Sequence, residues 1–377
     1  IPREGGTAYI LKGREDTGSY EPVQLGKRLG LGGEALVYQL PDGKCAKIFK
    51  SKNNSVMKKE KIRIMVRKLG AMRAVDAALM SRLAWPEKML YNEQREWIGY
   101  IMPAFSNTHP FADYSYDTFP ALIPNVSKAD QIRMSVALTE LVDFLHYNNI
   151  VLCDINTSNI LFDNDQNAYL IDLDSAQVAF EEKVFPTNVG LPDYLSPEHI
   201  RSCTFDFIKK KCDDVWILQN LIFKILTPCG HPYSSSIYCE DDREYVEKGI
   251  YPFQFDKHPA EEKIRGGPWY NVISHLPYYL KEGFWESFHG EGKWFHEKER
   301  RPVSYWLNIL VRYQEDLPAL TAYDAESGKY LPSRAKKAPP PKAKVISKES
   351  SSLADFNELL KKLPLEAKKN KSWDSMV

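Results

Sequence analysis

Two short segments place oxygen-bearing side chains directly beside apolar strands. Asp154 and Asn159 stand five residues apart after one predicted strand, and Asp172 lies at the end of a later one. Carboxylate and amide oxygens are the hard ligands that Mg²⁺ prefers. Each acid alone is an ordinary turn or cap residue, whereas the ordered set favours phosphate and metal chemistry.

A glycine-rich turn and a strand lysine precede this set. Gly30, Gly32 and Gly33 are spaced as in G-x-G-x-x-G-x-V, except that Ala35 occupies the third glycine position. Glycines there would let backbone N–H groups approach phosphate oxygens unobstructed. Lys47, on the next alternating strand, could neutralise phosphate charge as a point cation. Taken singly, the glycines could equally form a simple hairpin turn, and the lysine could be exposed.

The predicted elements that must position these residues change from mainly strands to mainly helices along the chain. An apolar repeat after Ser127 predicts a helix over 128–147, and the pattern from about 205 onwards is helical. A strand-rich first part followed by a helix-rich second part predicts an α+β fold in two lobes. The other predicted elements are strands at 23–29, 36–40, 44–49, 88–91, 97–102, 150–153, 160–162 and 168–172, and helices at 54–69 and 71–83.

Composition excludes several classes of protein. The 377 residues are 43% hydrophobic and 27% charged, which excludes wholesale disorder and a small disulfide scaffold. The six cysteines form no CxxC pair, so we expect neither a zinc site nor disulfides, and a cytoplasmic location. The longest largely apolar stretch, 215–226, is too short to span a bilayer, so no membrane partner is expected.

Charge is unevenly distributed although the net charge is zero. Residues 334–377 hold 11 basic and 5 acidic residues, and the rest of the chain carries a net charge of −6. A second basic block, 44–73, contains one acid, Glu60. This block is more simply a solvated helix face than a nucleic-acid site, so a nucleic-acid partner is not expected. The basic tail could contact an acidic partner.

In their order, these motifs resemble those of the eukaryotic-type (Hanks-type) Ser/Thr protein kinases. Ser-Pro-Glu at 196–198 is similar to the family's A-P-E motif, and Asp-Val-Trp at 214–216 to the start of its central helix. Arg301 is similar to the late arginine that pairs with the motif glutamate, here Glu198. The resemblance covers about 20–315.

Two further phrases resemble a bacterial subgroup of these kinases. They are Ala-Trp-Pro at 84–86 with Gly-Tyr-Ile-Met-Pro at 99–103, and Gly-His-Pro-Tyr at 230–233. Similar phrases occur in the kinases associated with helix-hairpin-helix domains and with the tellurium-resistance phosphorylation triad.

The resemblance implies a protein-kinase-like fold with a small antiparallel β-rich N-lobe and a larger helical C-lobe. We expect the N-lobe with its hinge at 23–105 and the C-lobe at 106–323. Outside them we expect an N-terminal extension at 1–22, a Pro/Lys/Ala-rich linker at 324–349, and a tail at 350–377 with a short amphipathic helix.

It also implies roles for single residues. Asp154 would orient the acceptor hydroxyl of a protein substrate and take its proton, while Asn159 and Asp172 would hold Mg²⁺ or Mn²⁺. Lys47 would bind the α/β-phosphates of ATP, with Glu60 of the following helix as its ion-pair partner. The other implied nucleotide contacts are the loop residues Gly30, Gly32 and Gly33 over the phosphates, Val37, and the hinge from Met102, the gatekeeper, through Pro103 to Phe105.

Several other positions depart from the family pattern. Leu152 and Cys153 replace His and Arg, Asn156 replaces the catalytic-loop lysine, Leu191 replaces the usual threonine of the P+1 loop, and Asp174 replaces the glycine of D-F-G. Loss of the arginine predicts a kinase that does not require activation-loop phosphorylation. The alternatives are a pseudokinase that binds nucleotide without turnover, a small-molecule kinase and, more remotely, a nucleic-acid binder.

Overall fold

A computed structural model describes most of both predicted lobes. The described residues are 2–13, 18–50, 55–114, 126–186, 194–202, 204–205, 208–227, 231–233, 242–253, 255, 273, 276–327 and 371–372. The segment at 190–193, beside the Ser-Pro-Glu motif, lies outside them, as do 328–349 and nearly all of 350–377.

One antiparallel sheet occupies the first part of the chain. Its strands are β1 (Thr7–Lys12), β2 (Ser19–Gln24), β3 (Arg28–Leu31), β4 (Ala35–Gln39), β5 (Lys44–Phe49), β6 (Lys88–Tyr91) and β7 (Trp97–Pro103). They pair in the order β2-β1-β6-β7-β5-β4-β3. β1 and β2 therefore extend the sheet into the segment expected as an N-terminal extension.

The predicted strand at 23–29 is wrong as a single strand. Gly26 separates β2 from β3, and its N–H donates to the Gln39 carbonyl at 2.8 Å. A Cβ at Gly26 would lie 2.9 Å from that same carbonyl oxygen, so only glycine fits this crossing without a shift. The chain bends there, and Ala8 with Leu25 can pack under the sheet.

The helices share the rest of the fold with short strands. The helices are α1 (Val56–Val75), α2 (Ala77–Met80), α3 (Lys128–Tyr147), α4 (Pro197–Ser202), α5 (Lys211–Leu226), α6 (Asp242–Lys248), α7 (Tyr278–Phe288) and α8 (Val303–Ser327), with 3-10 turns at Phe111–Tyr114, Leu173–Ser175 and Glu297–Glu299. The predicted helix over 128–147 is confirmed as α3, whose capping box joins Ser127 and Asp130. It packs against α5 and α8.

The predicted break between helices 54–69 and 71–83 is wrong, because α1 runs through Gly70. Glycine in a helix costs only about 1 kcal/mol relative to alanine. Burial of Met65 and Met72 on the same helix outweighs that cost. α1 therefore presents one long face to the sheet.

Short ladders in the second part hold the loops of the candidate site. Their strands are β8 (Thr108–Pro110), β9 (Ile150–Val151), β10 (Ile160–Asp163), β11 (Ala168–Leu170), β12 (Gln177–Phe180), β13 (Lys183–Phe185), β14 (Thr204–Phe205) and β15 (Lys371–Ser372). They pair as β8-β10-β11, β9-β12-β13 and β14-β15. The Leu170 amide donates to Arg82 at 3.0 Å, and the Ala84 amide donates to Leu170 at 2.9 Å. These bonds join β11 to the segment after α2.

The α+β class, with an antiparallel sheet followed by a helical part, is confirmed. The main buried core is continuous from Ile62 and Trp85 of the first part to Trp216 and Trp306 of the second. Among the described helices, none combines the length and apolarity that crossing a bilayer requires.

Candidate active site

Lys47 is held in the centre of the sheet by its neighbours on both sides. On β5 it pairs with Val37 of β4 and Tyr100 of β7. Its Nζ contacts Oδ1 of both Asp172 and Asp174. The Tyr100 hydroxyl donates to the same Asp174 oxygen at 2.7 Å. The sheet thus places the buried ammonium of Lys47 beside the carboxylates of Asp172 and Asp174, which follow β11.

The groups in this cluster shift one another's pKa values. Burial alone would lower the pKa of Lys47, but the carboxylates of Asp174 and Asp172 raise it well above its usual value. Burial opposes ionisation of Asp174, yet Lys47 and Tyr100 hold its pKa far below the usual range. Burial and the Asp174 charge raise the pKa of Asp172, although Lys47 partly offsets them. Lys47 therefore forms its stronger ion pair with Asp174, and Asp172 is the carboxylate that is more easily protonated.

The predicted ion pair between Lys47 and Glu60 is wrong. The Glu60 carboxylate instead accepts from Arg63 Nη1 at 2.7 Å on the same helix. The next residue, Lys61, faces inward and is only 7% exposed. Burial lowers the pKa of Lys61 to about 8, although Asp174 raises it in part. One residue step rotates a helix by about 100°, so the phase of α1 decides which side chain meets the sheet.

The loop that carries Asp154 is a tight turn held by its own side chains. The Asp154 amide donates to the Leu152 carbonyl at 2.7 Å across Cys153, whose φ is 65°. Asn156 Nδ2 donates to Asp154 Oδ1 at 3.0 Å, and Asn156 Oδ1 accepts from the Asn159 amide at 3.1 Å. Asn156 therefore orients Asp154 and closes the loop, a role that we did not predict for it.

Asp214 of α5 stabilises this turn through its carboxylate. Its fully buried carboxylate accepts from the amides of Leu152 at 2.7 Å and Cys153 at 2.9 Å. It also lies 2.9 Å from His146 Nε2 at the end of α3. Sequence reasoning placed Asp214 at the start of a helix but assigned it no function. The signal that could have identified it is an acid within a buried apolar helix.

One cavity brings together three of the predicted site residues. Asp154, Asn159 and Asp172 all line it, together with apolar side chains from Leu152 to Leu173. Asn159 Nδ2 donates to the Asp154 carbonyl at 3.3 Å, which leaves its amide oxygen for a ligand. Two hard oxygen donors beside one cavity fit a magnesium ion.

The glycine-rich turn between β3 and β4 leaves space that a side chain would fill. A Cβ at Gly33 would meet nothing within 4 Å, and one at Gly32 would meet only the Ala35 carbonyl at 3.5 Å. A Cβ at Gly30 would touch Val37 at 3.9 Å. The packing of the described fold therefore does not require glycine at these positions. A ligand that lies close to the backbone would require it.

The predicted hinge begins in the last two residues of β7 and continues beyond it. Met102 is 8% exposed and pairs with Cys45 of β5, and Pro103 ends the strand. The Phe105 ring lies 4.8 Å from the Tyr169 ring on β11. The hinge residues thus run from the sheet to the ladder that precedes Asp172.

The ion pair predicted for Glu198 is wrong by one residue. Glu198 Oε1 lies 2.8 Å from Arg300 Nη2, and the Arg300 side chain is fully buried. Arg301 instead lies over the Trp294 ring at 4.7 Å. Both arginines follow the 3-10 turn Glu297–Glu299. The path of the chain after that turn places Arg300 inside and Arg301 at the surface.

Comparisons with known proteins identify the family of this chain. The family model of the protein kinase domain matches residues 23–263. Protein kinase YegI of Escherichia coli K12 is 26% identical over 284 residues, 73% of this chain and 43% of that protein. The cAMP-dependent protein kinase catalytic subunit of Dictyostelium discoideum is 32% identical over 117 residues, 30% of this chain and 17% of that protein.

A solved structure shares the fold. The ROP18 kinase domain in complex with AMP-PNP and sucrose superposes with a TM-score of 0.54 at 15% identity, covering 86% of this chain and 88% of that chain. Because the family model matches well over half of the sequence, this chain belongs to the protein kinase family. It spans less than half the length of the YegI proteins that it matches.

Proposed function

We propose that this chain is an ATP- and Mg²⁺-dependent kinase that transfers the γ-phosphoryl group to Ser or Thr of a protein substrate. The observation that carries the proposal is the single cavity lined by Asp154, Asn159 and Asp172, with Lys47 held against Asp172. The open space at the glycine-rich turn supports phosphate binding there. Membership of the protein kinase family supports the reaction class.

In this mechanism Asp154 accepts the proton of the acceptor hydroxyl. Its Oδ1 is occupied by Asn156, while the one contact to Oδ2 from the described residues is Asn159 Nδ2 at 3.5 Å. Oδ2 is therefore the oxygen free to receive the proton as the hydroxyl attacks the γ-phosphorus. Lys47 would hold the α/β-phosphates. When bound, Mg²⁺ would be held by Asn159 and Asp172 and would neutralise phosphate charge.

We further propose activity without phosphorylation of the activation loop. Cys153 stands where the family's arginine would meet that phosphate, and its Sγ donates to the Val151 carbonyl at 3.2 Å. A buried thiol offers no cation to a phosphate. Membership of the bacterial subgroup named above, a cytoplasmic location and an acidic partner for the tail are part of the same proposal.

Phosphotransfer by purified protein tests the proposal. Wild type, Asp154→Ala and Asp165→Ala are incubated with labelled ATP, Mg²⁺ and a generic basic protein. Asp165 is an exposed acid in the turn between β10 and β11 and serves as the matched control. We expect Asp154→Ala to lower the rate by about 10²–10⁴-fold, and Asp165→Ala to behave like wild type.

The products separate the competing functions. Phosphoamino-acid analysis should find phosphoserine or phosphothreonine. Nucleotide binding without label in any protein, the chain itself included, would favour the pseudokinase. Label on a metabolite and on no protein would favour a small-molecule kinase.

A further inference from the structure

A fully buried glutamine joins the segment that follows Asp172 to the segment that precedes α5. Gln177 is 0% exposed and lies at the start of β12. Its Nε2 donates to the Lys209 carbonyl at 2.8 Å, and its Oε1 accepts from the Lys209 amide at 3.0 Å. One carboxamide therefore binds both backbone groups of a single residue, which fixes the position and the orientation of that residue.

Gln177 is itself fixed relative to the turn that carries Asp154. On β12 it pairs with Val151 of β9, three residues before Asp154. Val151, Cys153 and Ala179 form a small buried apolar cluster at this pairing. Movement of β12 against the Asp154 turn would expose that cluster to water, so the packing resists it.

Lys209 lines a second cavity beside Asp154. It is 5% exposed and shares the lining of this cavity with Asp154, Ser196 and His199. Lys209 Nζ lies 3.3 Å from His199 Nε2, and His199 Nδ1 lies 2.6 Å from the Ser196 hydroxyl oxygen. The cavity proposed above for Mg²⁺ also reaches Asp154. With nucleotide phosphates in that first cavity, an acceptor hydroxyl would approach Asp154 from the second one, which we call the acceptor-side cavity.

We propose that Gln177 is a positioning residue for phosphotransfer, which fixes the Lys209 wall of the acceptor-side cavity relative to the carboxylate of Asp154. Because Gln177 is fully buried, it acts through Lys209 and not by contact with the substrate. The inference deepens the proposed function and rests on it for the phosphotransfer step.

This arrangement needs no phosphate group. Gln177 and the Lys209 backbone are uncharged partners, and neither the carboxamide nor the buried Cys153 thiol offers a cation to a phosphate. The wall of the acceptor-side cavity is therefore held in the unphosphorylated chain. Activity without phosphorylation of the activation loop, as proposed above, requires such a contact.

Steady-state kinetics of Gln177→Leu and Gln219→Leu test the positioning role. Gln219 of α5 is also 0% exposed, but among the described residues no hydrogen bond reaches its carboxamide. Gln177→Leu should lower kcat/KM for the protein acceptor by about 10–100-fold, because a small displacement of the reacting groups costs that much. Its Kd for Mg²⁺-ATP should change by less than about twofold, and Gln219→Leu should leave both quantities within about twofold of wild type.

The comparison of these quantities separates positioning from a general effect on the fold. Wild-type kinetics in Gln177→Leu, or equal losses in Gln177→Leu and Gln219→Leu, would overturn the proposal. A parallel loss of Mg²⁺-ATP affinity in Gln177→Leu would also overturn it. If Gln177→Leu does not fold, it is replaced by Gln177→Asn, whose carboxamide is one methylene shorter and cannot keep both hydrogen bonds to Lys209 at their present lengths.

Hydrogen exchange without nucleotide separates this inference from the proposed function. Mass spectrometry of peptides that contain Lys209 should show its amide exchanging at least about fivefold faster in Gln177→Leu than in wild type, and at the wild-type rate in Gln219→Leu. Unchanged exchange in Gln177→Leu would overturn the inference. Faster exchange in a protein that transfers no phosphate would support the contact and overturn only the proposed function.

Discussion

At the residue scale, Asp214 decides the shape of the loop that carries Asp154. Cys153 adopts a positive φ, which costs a non-glycine residue of the order of 1–3 kcal/mol. The Asp214 carboxylate offsets that cost by accepting from the consecutive backbone N–H groups of Leu152 and Cys153. Hydrogen bonds to a carboxylate are stronger than those to a neutral acceptor, so Asp214 adds to the hold that Asn156 has on the turn.

We expect Asp214→Asn to weaken both the fold and the reaction. The amide replaces one acceptor oxygen with a donor that faces a backbone N–H, so the free energy of unfolding should fall by about 2–4 kcal/mol. Because the Asp154 turn loosens, kcat should fall more than the KM for ATP rises. Urea unfolding and steady-state kinetics measure the two effects.

The neighbouring acid provides the control for that prediction. Asp213 accepts from the Lys210 amide at the start of α5, which asparagine can also do. Asp213→Asn should therefore cost less than about 1 kcal/mol. Equal losses in the two variants would contradict the anchoring role of Asp214.

The sequence predicted which residues lie together at the site better than it predicted which residues form ion pairs. The motif spacing singled out Asp154, Asn159 and Asp172, and the structure places them along one cavity, while their chemical roles stay predictions. The spacing could not show that Glu60 pairs with Arg63 and that Lys61 is the buried residue of the two. That arrangement depends on how the helix is rotated against the sheet, which is set by packing distant in sequence.

At the element scale, Arg300 joins helices α4 and α5 of the C-lobe. Its guanidinium pairs with Glu198 of α4, donates to the Cys212 carbonyl of α5 at 3.0 Å and lies 5.1 Å from the Trp216 ring. The side chain is fully buried, so each of these contacts is shielded from water. Glu198, whose pKa Arg300 holds below its usual value against the opposing effect of burial, depends on this partner.

Replacing adjacent arginines tests which of them supports the fold. Arg300→Met should lower the free energy of unfolding by about 3–5 kcal/mol, because it leaves the Glu198 carboxylate without its cation. Arg301→Met removes an exposed contact with Trp294 and should cost about 1 kcal/mol or less. Urea denaturation of both variants checks the contrast. A larger loss in Arg301→Met would restore the pairing expected from the sequence.

Elements with a local signal were predictable, and those that depend on distant partners were not. The capping box and apolar repeat fixed α3 at both ends. β1 was missed, although Thr7–Lys12 is rich in β-forming residues, because its partners are β2 and the much later β6. Gly70 suggested a helix break that packing of α1 overrides.

At the scale of the whole molecule, one core joins the two lobes. Trp85 of the first part and Trp216 of the second belong to the same buried cluster. Backbone hydrogen bonds between Arg82, Ala84 and Leu170 cross the same boundary. Unfolding either lobe would expose apolar surface on the other, so the lobes should share one unfolding transition.

Urea unfolding with and without nucleotide tests this coupling. Far-ultraviolet circular dichroism, which reports mainly the helices, and tryptophan fluorescence, which includes Trp85 and Trp97 of the first part, should give coincident midpoints. Mg²⁺-ATP at 100 times its Kd should stabilise the folded state by about 2.7 kcal/mol and move both midpoints together. Removing Mg²⁺ with EDTA should reverse most of that shift if Asn159 and Asp172 hold the cation as proposed, because nothing would then neutralise the phosphates beside Asp172. Two separate transitions, or a shift confined to one probe, would mean that the lobes unfold independently and that the shared core does not couple them.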